Sequence, residues 1–187
     1  MMNSVRRLAL HGMVAGAVMA MLGLVPTTAS PAEAREWVKI AFVDTGNTGR
    51  SVSAEALAQA EIRRSGRAML LISRAVDLDP FETRPEAEVV RLLAVRGLDV
   101  SAHRAAALTM DDVRHADLIL TMTARHREQV IERFPAAAAR TFTLAQYAAG
   151  ESSDIADAKG QPRQVYQQML GQLERLVPLA LARAAAP

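Results

Sequence analysis

Residues 38–60 read VKIAFVDTGNTGRSVSAEALAQA, and this stretch restricts the fold more than any other. Val38 to Val43 is mostly apolar with little alternation, which suits a strand buried on both faces. A loop of small residues and one arginine follows. An Ala-rich segment then places Val52, Leu57, Ala60 and Ile62 at roughly helical spacing. A strand that passes through such a loop into a helix builds an anion cradle, because successive N–H groups turn inward and the helix adds its positive end. Gly46 and Gly49 permit close approach, and the planar fork of Arg50 can grip two oxyanion oxygens. Yet the residue at the mouth of the loop, where a nucleophile would sit, is Asp44.

The alternation of apolar runs and helical patterns continues downstream. Ala68 to Ser73, Asp117 to Met122 and the short RTFTL segment read as further strands. Between them lie a helix near Pro85 that stops at Gly97, a short helix with Thr109 as N-cap, and a helix closed by Pro135. A loop and a long terminal helix complete the chain, with Pro178 expected to kink or shorten that helix. The pattern predicts an α/β domain, a four-stranded parallel sheet with helices on both faces. Ligands of such sheets bind outside the carboxyl ends of the strands, where the Asp44 loop lies.

The first residues stand apart. Arg6 and Arg7, the uncharged run Met13 to Val25, and the small residues around Ala32 and Ala34 follow the order of a secretory signal peptide. Residues 1–34 are therefore expected to be a leader, and residues 35–187 an exported, periplasmic or secreted, domain free of the membrane. Removing Arg6, Arg7 and Glu33 lowers the formal charge from +2 to +1. No basic stripe interleaved with aromatics exists, so nucleic acid is not an expected partner. The chain has no cysteine, which excludes both disulfides and thiol chemistry.

Two short likenesses fail on their surroundings. VDTG resembles the tripeptide of aspartic proteases, and DTGNTG resembles the phosphate loop of actin-like kinases, but here a helix follows and no second copy exists. A longer likeness is ordered along the chain. Arg50-Ser51 falls six and seven positions after Asp44, SAEAL follows, GLDVSAHRAAALTMDDVRHADLILTM spans Gly97 to Met122, and DIADAKGQPRQVY comes later. In these features the chain resembles the low-molecular-weight protein tyrosine phosphatases and the arsenate reductases of the same fold, over Val38 to about Val177. The resemblance implies a phosphate-binding loop of Thr45, Gly46, Asn47, Thr48, Gly49, Arg50 and Ser51. It also implies that Asp44 holds the nucleophile position, Arg50 grips the oxyanion, Ser51 supports the leaving group and Asp157 is the general acid.

Asp44 replaces the family's cysteine. A carboxylate is a weaker nucleophile than a thiolate, and among loop donors it is expected to turn inward, pair with Arg50 and fill the anion site. Two unit charges ~4 Å apart at an effective dielectric near 20 interact by roughly 4 kcal/mol, so a phosphate dianion would be repelled. Gly49 stands at the family's second loop cysteine, Ala158 at its proline, and Lys159-Gly160 at its aromatic pair. The expected function is a protein with the scaffold but without cysteine-dependent hydrolysis, binding a phosphate-like anion or phosphorylated ligand, or a protein partner. The alternative is a phosphoric-monoester hydrolase with Asp44 as nucleophile or metal ligand, Asp157 as acid, and Asp154 able to approach. No cofactor is expected, since the histidines lack ligand spacing. His103 and Arg104 read as turn residues, His115 and His126 as surface residues, and Arg125, Arg127, Glu128, Glu132 and Arg133 as a solvated helix face.

Overall fold

The apolar runs form the sheet. In a computed structural model that describes residues 37–186, β1 (Val38–Asp44) pairs with β2 (Met69–Ala75) on one side and β3 (Leu118–Thr121) on the other. β4 (Thr141–Thr143) adds to β3, and every pairing is parallel, in the order β2-β1-β3-β4. Register places Ile40 opposite Leu71 and Leu118, and Val43 opposite Arg74 and Thr121. The chain leaves β1 toward one edge and returns to its other side, so the order reverses at the carboxyl end of β1. That is the place where open α/β sheets bind ligands.

The two-residue period of β1 divides the core. Ile40 and Phe42 face a layer built with α1 (Arg50–Ser65), α2 (Ala87–Ala94), α5 (Leu144–Ala149) and α6 (Arg163–Ala184). Ala41 and Val43 face a second layer with α3 (Met110–His115), α4 (Ala124–Arg133) and a 3₁₀ turn (Pro135–Arg140). Both faces are thus covered, as the unbroken apolar runs require. Complete burial of a side chain such as Phe42 is worth about 1.5–3 kcal/mol.

Several boundaries differ from expectation. The fourth strand is shorter than RTFTL, because Arg140 ends the 3₁₀ turn and Leu144 begins α5. α5 occupies the start of the segment expected to be a loop. Thr143 caps it by accepting the Gln146 N–H, and Gly150 closes it at φ 73°. Pro178 does not shorten α6, which continues to Ala184 because Leu176, Val177, Ala180 and Leu181 are all buried around it. Thr109 caps α3 as expected, in a reciprocal box with Asp112. The leader assigned to residues 1–34 lies outside the described residues. Among the described residues no helix is long and apolar enough to cross a membrane.

Candidate functional site

The loop between β1 and α1 is fixed by a single strained residue and its neighbours. Asn47 has φ 57°, in the left-handed region that asparagine tolerates better than most residues. Its side chain holds it there: Nδ2 donates to Ser51 Oγ at 3.0 Å, and Oδ1 accepts the Ala106 N–H at 3.0 Å. Its carbonyl lies 3.0 Å from His103 Nε2. Strain of this sort persists only where the surroundings over-determine it. His103 thus does more than bound a turn; it holds the loop from behind. Val76 and Asp77 after β2 add two backbone donations, to the carbonyls of Asp44 and Thr45.

Asp44 is 3% exposed, and its carboxylate occupies the centre of the loop. Oδ1 accepts the Asn47 N–H at 2.6 Å and Oδ2 accepts the Ser51 N–H at 2.9 Å. The inward turn expected of it is present, but its pairing with Arg50 is not. Both carboxylate oxygens are already engaged by backbone donors, and Arg50 Nη2 reaches Asp157 Oδ2 at 3.0 Å instead. The fork also makes a long 3.5 Å contact with Thr45 Oγ1.

A hollow of about 260 Å³ opens above the loop. Asp44, Thr45, Gly46, Thr48, Gly49, Arg50 and Asp157 all line it, so most of the expected site residues come together. Asn47 and Ser51 do not; both are fully buried beneath, bonded to each other as framework. Asp154 is also elsewhere, accepting the Ala124 N–H at the start of α4.

Four further carboxylates that the sequence did not disclose border the same hollow: Asp77, Asp79, Glu82 and Glu86. Glu86 is the most informative. A Cβ on Gly49 would lie 2.7 Å from Glu86 Oε1, so the carboxylate stands where a side chain at position 49 would be. Tyr166 on α6 donates its hydroxyl to Glu86 Oε2 at 2.6 Å. Burial holds the Glu86 carboxyl above its usual range, against the opposing effect of that donation. Burial, with the same bond, pushes the Tyr166 hydroxyl up to about 12.

His126 corrects another expectation. It is 4% exposed, not a surface residue, and its Nε2 lies 2.8 Å from Thr45 Oγ1. Burial, then the Arg50 charge, lower its pKa to about 4, so the ring is neutral near pH 7. Arg127 also departs from a solvated face, donating to the Thr141 carbonyl.

A strand, a strained small-residue loop, an inward arginine and a helix N-terminus form the phosphate-loop arrangement, and the sequence profile described as "Low molecular weight phosphotyrosine protein phosphatase" matches residues 39–185. The chain belongs to that family. A "Protein-arginine-phosphatase" of Geobacillus stearothermophilus is 34% identical over 145 residues, covering 74% of this chain and 90% of the relative. A "Probable low molecular weight protein-tyrosine-phosphatase EpsP" of Ralstonia nicotianae is 33% identical, covering 73% and 88%. The crystal structure of a YwlE mutant from Bacillus subtilis superposes with a TM-score of 0.73 at 31% identity, covering 76% of this chain and 95% of that one. Within this low-molecular-weight phosphatase fold, Asp44 stands where the resemblance places the nucleophilic cysteine, and the cradle meets a carboxylate in place of a thiolate.

Proposed function

We propose that this chain is an exported, non-thiol member of the low-molecular-weight phosphatase family that binds a ligand at its loop and does not hydrolyse phosphoesters by the cysteine route. One observation carries the reading: the buried Asp44 carboxylate accepts the Asn47 and Ser51 N–H groups, so the anion cradle is filled by the protein's own side chain. A phosphate-like ligand would have to displace or neutralise Asp44 before it could use those donors. The chain keeps the elements of a receptor, namely a shaped hollow, a rigid loop and a buried guanidinium, without the nucleophile that turns binding into covalent transfer.

The rival reading, hydrolysis with Asp44 as nucleophile or metal-held base and Asp157 as acid, draws support from the 3.0 Å pairing of Asp157 with Arg50 at the mouth of the loop. Turnover of an aryl phosphate by the full-length protein, with and without divalent metal, beside Asp44→Cys, separates the two. The expected result is no turnover by the natural protein under either condition, and turnover in Asp44→Cys. Metal-dependent turnover by the natural protein that disappears in Asp44→Ala would overturn the proposal.

A further inference from the structure

The buried carboxylate of Asp44 fills the base of the cradle without closing the site to an anion. Its two oxygens take the N–H groups of Asn47 and Ser51. The N–H groups of Thr45, Gly46, Thr48, Gly49 and Arg50, residues that border the hollow above, have no partner among the described residues. Arg50 points the same way. It is only 7% exposed and lines the hollow, yet only its Nη2 is engaged, by Asp157 and by the long contact to Thr45. Nε and Nη1 have no acceptor among the described residues, and a buried guanidinium with two idle nitrogens calls for one from outside the chain.

Asp44 adds a condition that these donors do not. An ionised carboxylate only accepts, and its two oxygens offer roughly four positions. Each oxygen accepts one hydrogen bond among the described residues, so acceptor capacity remains on a side chain that lines the hollow. A ligand oxygen that carries a proton can donate to Asp44, and the contact becomes a charge-assisted bond. A ligand oxygen without one meets Asp44 acceptor to acceptor, with negative charge on both sides. The rim acts in the same direction. Asp77, Asp79, Glu82, Glu86 and Asp157 face the hollow against Arg50 and Lys159, and His126 behind Thr45 is neutral. Each negative charge that a ligand sheds therefore lowers the repulsion it meets.

We propose that this site selects a phosphoryl group in its protonated form: the loop N–H groups and Arg50 hold its bare oxygens, and its P–OH donates to Asp44. The inference rests on the reading of the loop as a ligand site whose base Asp44 fills. Position 44, the nucleophile's place in a phosphatase loop, becomes the selectivity residue of a receptor. Inorganic phosphate carries the required proton throughout the neutral range, and phosphomonoesters carry it below their second pKa of about 6. Sulfate, sulfate esters and phosphodiesters share the tetrahedral shape but have no proton to give, and are refused. The adjoining hollow of about 330 Å³, which shares Thr48 and Glu86 with this one, leaves room for the group that an esterified phosphoryl carries.

Calorimetric titration of the full-length protein separates the proton from other properties of the ligand. Phenylphosphonate and benzenesulfonate are alike in size and shape, and only the phosphonate can keep an O–H. At about pH 5.5 the expected result is saturable binding of phenylphosphonate and about twentyfold weaker binding of benzenesulfonate. At about pH 8.5, where the phosphonate is a dianion without a proton, its binding should weaken about tenfold. In Asp44→Ala and Asp44→Asn the two probes should differ by less than about threefold at the lower pH. Comparable binding of both probes by the natural protein, or discrimination kept in both variants, would overturn the inference. A parallel gain of both probes at the lower pH would do the same, because it would place the proton on the rim carboxylates. Binding of both probes by Asp44→Ala and of neither by the natural protein overturns the inference alone and leaves Asp44 as a plain block. Binding of neither probe by any of the three proteins removes the ligand site, and the proposed function with it. Inorganic phosphate, titrated beside them, assigns the source: tighter binding than phenylphosphonate marks the free anion, weaker binding a phosphorylated ligand, and both support the inference.

Discussion

Arg50 Nη2 lies 3.0 Å from Asp157 Oδ2, joining the loop after β1 to the segment before α6 across 107 residues of chain. The two ends of this pair differ in surroundings: the Arg50 side chain is 8% exposed and that of Asp157 is 60% exposed. Water screens the pair from the aspartate side, so its net contribution is small. Asp157→Asn should change unfolding free energy by no more than about 1 kcal/mol in a urea titration. A loss of several kcal/mol would mean that the pair anchors the loop rather than resting on it.

Asp44→Ala tests the filled cradle from the opposite direction. Removing the carboxylate frees the Asn47 and Ser51 N–H groups, and leaving two buried donors unpaired costs about 1–3 kcal/mol each. Sulfate should then restore stability in the variant and not in the natural protein. At a hundred times its dissociation constant it adds about 2.7 kcal/mol, a rise of roughly 5–10 °C in Tm. Equal responses of the two proteins to sulfate would show that Asp44 does not compete for the anion site.

Asn47 carries conformational and hydrogen-bonding work that two substitutions divide. Asn47→Gly keeps access to φ 57° but loses the bonds to Ser51 and Ala106. Asn47→Ala loses those bonds and adds about 1–2 kcal/mol of left-handed strain. Thermal or denaturant unfolding should therefore rank natural protein, Asn47→Gly and Asn47→Ala in falling order. Equal stability of the two variants would remove the strain from the account.

His126 makes stability depend on acidity in a defined window. Its folded pKa of about 4 lies below the ordinary value of 6.5, so the unfolded chain binds a proton first as pH falls. The stability it contributes is present above pH 6.5 and is lost as pH drops toward 4, amounting to at most roughly 3 kcal/mol. His126→Gln, able to keep a bond to Thr45, should flatten that part of the pH–stability curve. A curve unchanged in slope would place the His126 ring in a wetter setting than its burial implies.

The sheet could be read in the sequence because strands covered on both faces leave nearly continuous apolar runs, such as Ile40 to Val43. α5 was missed for a physical reason: it is six residues long, and the Thr143 cap and Gly150 stop enclose too few turns to express a period. Asp44, Arg50 and the loop were legible because they lie consecutively along the chain. Glu86, Tyr166 and His126 were not, since Glu86 and His126 reach the loop from distant elements, Tyr166 reaches Glu86 from α6, and nothing local distinguishes Glu86 from an ordinary helix-start acid or His126 from a helix-surface histidine. The Arg50 pairing was misjudged because sequence proximity to Asp44 says nothing about which oxygens the backbone claims first. One trace was present: glycine at position 49 leaves room over the loop, and that room is where Glu86 sits.

The bonds that hold Asn47 from behind also set a timetable. His103 and Ala106 lie 56 and 59 residues further along the chain, so the loop cannot lock when β1 and α1 first form. It must wait for a long segment to close back on it, an event with an entropic cost that local contacts do not carry. The pairing of β1 with β3 needs a still longer closure, from Ile40 to Leu118, so the cradle locks together with the central sheet and not ahead of it. The reverse path follows the same hinge: release of residues 103–106 lets Asn47 leave its left-handed conformation while the sheet persists. Amide hydrogens of Asn47 and Ser51 should then exchange through this partial opening, faster than those at the centre of β1 and β3.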